Sequence, residues 1–114
     1  MGSVKIDKYI LKDKQAILCE DVKTWGEFME NQDRVVKKTE FGDIYISTVF
    51  IGLNHSLEDN KILLFETLVF KGPLDSEMER YHTWEEAEAG HDKMCERVYQ
   101  ALCGYSEDAK GAKP

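Results

Sequence analysis

The chain reads as an α+β domain: a mainly antiparallel sheet of four to five strands with two amphipathic helices, in the order β-β-α-β-β-β-α. Three observations predict this. Apolar, β-branched runs fall in neighbouring pairs instead of alternating with helices, which argues for hairpins over parallel βαβ units. Residues 43–70 hold two long apolar runs joined by a polar loop. Two further segments carry a helical period behind a Thr-Trp-x-Glu start, at Thr24 and at Thr83. The 114 residues suit one domain that buries roughly two-thirds of its unfolded surface. Residues 1–104 are assigned to that domain, and the polar residues 105–114 to a disordered tail.

Each element has its own signal. Residues 9–11 and 15–18 are apolar runs around Lys12-Asp13-Lys14, the pattern of a small hairpin. Val22, Trp25, Phe28 and Met29 then share one helical face, with Thr24 and Glu27 as a capping box. A helix this short is held by packing, not by propensity. Residues 34–39 are strand-like, and Phe41-Gly42-Asp43 has turn chemistry. In the long run that follows, Ile44, Ile46, Thr48 and Phe50 lie on one face, and Tyr45, Ser47, Val49 and Ile51 on the other. Neither face is polar, so this strand is central and covered on both sides, or lies at an interface. Residues 54–60 form a polar loop, 61–70 a second strand apolar on both faces, and Gly72-Pro73 breaks it. Residues 75–79 are an acidic connection with room for a turn of helix. The last helix runs over 84–102, capped by Thr83 and Glu86, with Trp84, Ala87, Glu88, His91, Cys95, Val98, Tyr99 and Leu102 at helical spacing.

Charge narrows the function classes. The net charge is −7, with 9 acids and 8 bases in residues 1–50 but 13 acids and 7 bases in residues 51–114. No basic stripe is present, so binding to a nucleic-acid backbone is not expected. A basic protein partner suits this balance better. No apolar run reaches the roughly 18–20 residues of a membrane-spanning helix, so no membrane is expected. Cys19, Cys95 and Cys103 make an odd count without a CxxC pair, as expected of reduced thiols in a cytosolic protein.

A few polar residues interrupt apolar patterns. Glu66 lies on a strand face with Ile62, Leu64 and Leu68, where a carboxylate needs a raised pKa or a dedicated partner such as Arg80. His91 falls on the apolar face of the second helix beside Gly90. Paired across the helix–sheet layer, Glu66 and His91 would make a base and its orienter. The favoured reading of His91 is a core histidine satisfied by one hydrogen bond. His55 follows Asn54 in the loop, near Glu58 and Asp59, but these match no metal-ligand spacing. Neither a metal nor a cofactor is expected. Eight acids between Asp75 and Glu96, against Arg80 and Lys93, read either as a docking face or as a solvated helix face. No nucleophile elbow or phosphate-cradling glycine cluster occurs.

Residues 49–55, 64–70 and 80–91 read VFIGLNH, LFETLVF and RYHTWEEAEAGH. These motifs resemble a group of small uncharacterised proteins of bacteriophages, prophages and bacteria, which carry Val-Phe-Leu-Gly-Leu-Asp/Asn-His, then Leu-Phe-Glu-Thr-Met-Val-Phe, then Arg-Tyr-x-Thr-Trp-Glu-Glu-Ala-x-x-Gly-His. His82 stands where a serine is usual, and the loop after His55 lacks a glycine-rich stretch often seen there. The resemblance covers about residues 9–100 and implies a shared site built from Asn54, His55, Glu66, Thr67, Arg80, Tyr81 and His91. It also implies a bacterial cytosolic setting. The expectation is therefore a non-catalytic, phage- or bacteria-encoded protein-binding module, such as a host-interaction or counter-defence protein, with a homodimer allowed by the two-sided strands. The alternative is a small ligand-binding or hydrolytic domain using Glu66 with His91 or His55.

Overall fold

The computed structural model describes residues 7–54 and 62–103. Their elements are β1 (Tyr9–Lys12), β2 (Gln15–Leu18), α1 (Val22–Asn31), β3 (Val35–Phe41), β4 (Ile44–Phe50), β5 (Phe65–Phe70), β6 (Met78–Tyr81) and α2 (Trp84–Cys103). The α+β class and the two helices are as the sequence predicts. The strands number six in two antiparallel sheets, one of order β1-β2 and one of order β3-β4-β5-β6. The assigned tail, residues 105–114, lies outside the described residues, as does His55.

The β1–β2 turn places Asp13 (φ 53°) and Lys14 (φ 67°) in the left-handed region, the geometry that matches the twist of a two-residue hairpin. α1 starts earlier than its Thr24–Glu27 box suggests. Asp21 is the N-cap, and its carboxylate accepts the Thr24 N–H (3.3 Å) and the Thr24 hydroxyl. A carboxylate takes this position well because it faces the positive end of the helix dipole. No residue of α1 is fully buried. The indole of Trp25 ties the helix to the main sheet by donating to the Gly52 carbonyl (3.2 Å), and the Phe28 ring meets Phe50 edge-on.

β6 is the strand the sequence does not show. Residues 73–76 form a turn, with Ser76 at φ 75°, and the chain then pairs along the free edge of β5, Leu68 opposite Met78 and Phe65 opposite Tyr81. Its residues are mostly exposed and mostly polar, so they carry no apolar alternation. Backbone pairing to β5 recruits them, as suits a short, charged edge strand.

α2 crosses the main sheet and packs against β3, β4, β5 and β6. Thr83 caps it by accepting the Glu86 N–H (3.1 Å), while the Glu86 carboxylate accepts the His82 N–H (3.0 Å). Its buried residues are Ala87, His91, Met94 and Val98. Tyr99 and Leu102, expected on the same face, are exposed. Under α2, alternate residues of β4 (Ile44, Ile46, Thr48, Phe50) and β5 (Phe65, Thr67, Val69) are buried. Two apolar clusters result. Ile44, Ile46, Val69, Met94 and Val98 form one; Phe50, Leu64, Phe65 and Ala87 form the other, joined by Phe28 and the hairpin's Tyr9 and Leu11.

The opposite face of the main sheet is uncovered among the described residues. Of the two alternatives for a strand apolar on both faces, coverage on both sides is not seen. Pairing aligns Val35, Val49, Glu66 and Arg80 in one cross-strand row of this face, then Lys38, Ser47, Leu68 and Met78, then Glu40, Tyr45 and Phe70.

Candidate functional site

The gap between the two apolar clusters is filled by polar side chains. β4 and β5 place Thr48 and Thr67 directly opposite each other on the α2-facing side, and α2 lowers His91 onto them. All three are fully buried. Thr48 hydrogen-bonds both Thr67 and Nδ1 of His91, the latter at 2.7 Å; Nε2 of His91 lies 2.8 Å from Thr39 Oγ1 on β3. At the other end the Tyr81 hydroxyl of β6 donates to Thr67 Oγ1 (3.1 Å).

The arrangement in which every hydroxyl hydrogen finds an acceptor within this group runs from Tyr81 to Thr67, from Thr67 to Thr48 and from Thr48 to Nδ1 of His91, with Nε2 carrying the ring hydrogen toward Thr39. Every member is satisfied, as a buried network must be. Burial pushes the His91 pKa below the ordinary histidine range; Lys37 lowers it further, and Asp92 opposes both. Burial likewise raises the Tyr81 phenol, partly offset by its bond to Thr67. Tyr81 reaches its place because Gly90 has no side chain: a Cβ there would collide with the tyrosine ring.

Chemically this is a closed seam. Both ring nitrogens of His91 are engaged, Nδ1 by Thr48 and Nε2 by Thr39, and no face of the ring meets solvent. A general base needs a free acceptor within reach of a substrate.

Glu66 stands on the other side of the sheet. Strand alternation sends Thr67 toward α2 and Glu66 away from it. The Glu66 carboxylate accepts from Nε of Arg80 at 3.1 Å, the cross-strand neighbour, with both side chains partly exposed. The proposed Glu66–His91 pair is thus not formed, because the sheet lies between them. The placement of Glu66 beside Leu64 also needs correction. Leu64 and Phe65 are both buried, so the alternation breaks at the start of β5 and Leu64 turns into the core while Glu66 and Leu68 face out.

The structure therefore sorts the sequence-derived candidates into separate places. Thr67, Tyr81 and His91 come together in the seam; Glu66 and Arg80 pair on the open face. Asn54 closes the base of its loop, its side-chain oxygen accepting the Leu63 N–H (3.4 Å) and its own N–H donating to Asp7 (3.1 Å). His55, Glu58 and Asp59 lie outside the described residues. Thr39 and Thr48 were missed. Thr48 was legible in principle, as a hydroxyl in a row of otherwise large apolar residues; Thr39 was not, since its partner is 52 positions away. Among the described residues no group of three or more His, Cys, Asp or Glu could hold a metal, and no helix is long and apolar enough to cross a membrane.

The acidic stretch is partly accounted for. Asp92 pairs with Lys37 (2.8 Å), Glu77 with Arg97 (2.9 Å), and Glu86 serves the helix cap. No protein-family model matches the chain, and neither curated proteins nor solved structures give a match.

Proposed function

We propose that this chain is a non-catalytic protein-binding module, phage- or bacteria-encoded and acting in the bacterial cytosol, which docks a protein partner on the uncovered face of its main sheet. The observation that carries this reading is the composition of that face. Val35, Phe70 and Met78 are large apolar residues left 39–47% exposed, and with Tyr45, Val49 and Leu68 they spread across all four strands. The Tyr45 and Phe70 rings lie 5.6 Å apart. A contiguous apolar patch with a polar rim is the usual mark of a protein interface. The rim charges are Lys38, Glu40, Glu66 and Arg80, two of each sign. Such a face selects a partner by apolar fit, and a second copy meets it without charge repulsion. The basic partner suggested by the overall charge fits the acids of α2 better than this face.

Site-specific photocrosslinking in host cells tests the proposal. A photoreactive phenylalanine analogue at position 70 is expected to give discrete protein adducts, and the same group at Glu96 on α2 far fewer. An adduct of twice the chain mass means a homodimer; any other discrete mass means a foreign partner. No adduct at 70, or equal labelling at both positions, overturns the reading.

A further inference from the structure

A cleft of about 340 Å³ opens between the tip of the β1–β2 hairpin and the start of α2. That volume is at the small end of ligand sites. Its floor is apolar: Leu64 and Phe65 are fully buried, and the Trp84 ring stands edge-on to Phe65. Its two lips are of opposite character. On the hairpin lip, the left-handed turn carries Lys14, whose ammonium sits 5.5 Å from the centre of the Trp84 ring. On the α2 lip are Glu85 and His82. The Ile62 carbonyl can only accept, so Nδ1 of His82 (2.7 Å away) donates to it and holds the ring at the lip. Among the described residues, neither Lys14 nor Glu85 has an ion-pair partner.

We propose that this cleft binds a free α-amino acid with a large apolar side chain. The ligand carboxylate meets Lys14, the ammonium meets Glu85, and the side chain lies on Tyr9, Ile62 and Trp84, the partly exposed apolar residues of the lining. The charge pattern selects this class. A simple anion would face Glu85, and a simple cation would face Lys14. A zwitterion uses both lips, and being neutral overall it is not repelled by a chain of net charge −7. The site is separate from the sheet face and needs no second protein.

The test uses the full chain and its two indole N–H resonances, from Trp25 and Trp84. Phenylalanine is titrated alongside N-acetylphenylalanine, which lacks the ammonium, and phenylalaninamide, which lacks the carboxylate. Phenylalanine is expected to shift the Trp84 resonance saturably and leave Trp25, which is bonded to Gly52, in place. Lys14→Gln should weaken phenylalanine and the N-acetyl compound about tenfold and leave the amide unchanged; Glu85→Gln should weaken phenylalanine and the amide but not the N-acetyl compound. Both residues are exposed, so neither change threatens the fold. Absence of a saturable Trp84 shift overturns the proposal, as does equal binding of all three compounds or indifference to both substitutions.

Discussion

His91 shows how one buried side chain sets a pH limit on a small domain. Its folded pKa lies below the ordinary value of 6.5 because burial disfavours the imidazolium, and protonation would also remove the lone pair through which the ring accepts a threonine hydrogen bond. The unfolded chain therefore binds more protons than the folded one as pH falls below about 6.5. Above that pH the contribution is flat; below it stability is lost down to the folded pKa, by at most about 1.4 kcal/mol per pH unit. Urea unfolding from pH 7.5 to 5.5 should show this loss, and His91→Gln should flatten it. A persistent slope in that variant would assign the effect elsewhere. Gly90 gives a second expectation. Glycine to alanine inside a helix ordinarily gains about 1 kcal/mol. Here the new methyl runs into the Tyr81 ring, and overpacking of this kind costs about 1–3 kcal/mol. Gly90→Ala should thus lower the urea midpoint, and Tyr81→Leu in the same chain should recover part of it.

At the scale of elements, the two helices depend on different things. α2 buries four residues across the whole sheet, so its cap adds to a helix already held by packing. Thr83→Ala removes the acceptor of the Glu86 N–H and should cost about 1 kcal/mol of global stability. α1 buries no residue fully and is held by its Asp21 cap, the Trp25–Gly52 bond and the Phe28–Phe50 contact. Asp21→Ala should therefore speed amide exchange through α1 while changing the global unfolding midpoint less than Thr83→Ala does. The opposite ranking would mean that α1 belongs to the same cooperative unit as the sheet. Both Thr-Trp-x-Glu segments suggest caps, yet only Thr83 is one. At the first, Asp21 lies three residues earlier and wins the N-cap with a carboxylate, leaving Thr24 inside the first turn.

At the scale of the molecule, a four-stranded antiparallel sheet carries one helical layer among the described residues. α2 and the hairpin end of the core take one face; the other carries Tyr45, Leu68, Phe70 and Met78 without a cover among the described residues. A single helix spans only one side of a sheet, and α1 is engaged near Phe50 and Gly52. The polar seam divides the covered side into two apolar clusters, and it fixes where α2 sits. Sliding the helix by one turn would strand the buried His91, at a penalty of about 1–3 kcal/mol, and would take from Thr39 and Thr48 the partner it supplies. Of the acids on α2, Asp92 is paired with Lys37, while the helix's own Arg97 pairs with Glu77 outside it; both are exposed contacts that contribute little stability each.

The sequence by itself determined the α+β class, the hairpin, both helices and the inward row of β4, because periodicity, capping residues and turn residues act over a few positions. Ile44, Ile46, Thr48 and Phe50 are buried as their alternation requires. Tertiary structure alone decided the rest. β6 forms because β5 offers an unpaired edge, a cause absent from residues 75–81 themselves. The direction of Glu66 turned on a break in alternation at Leu64 and Phe65, which local pattern does not report. Thr39, Thr48, Thr67, Tyr81 and His91 lie on five different elements, and hydrogen bonds between them depend on distances that only the packed helix and the strand register set.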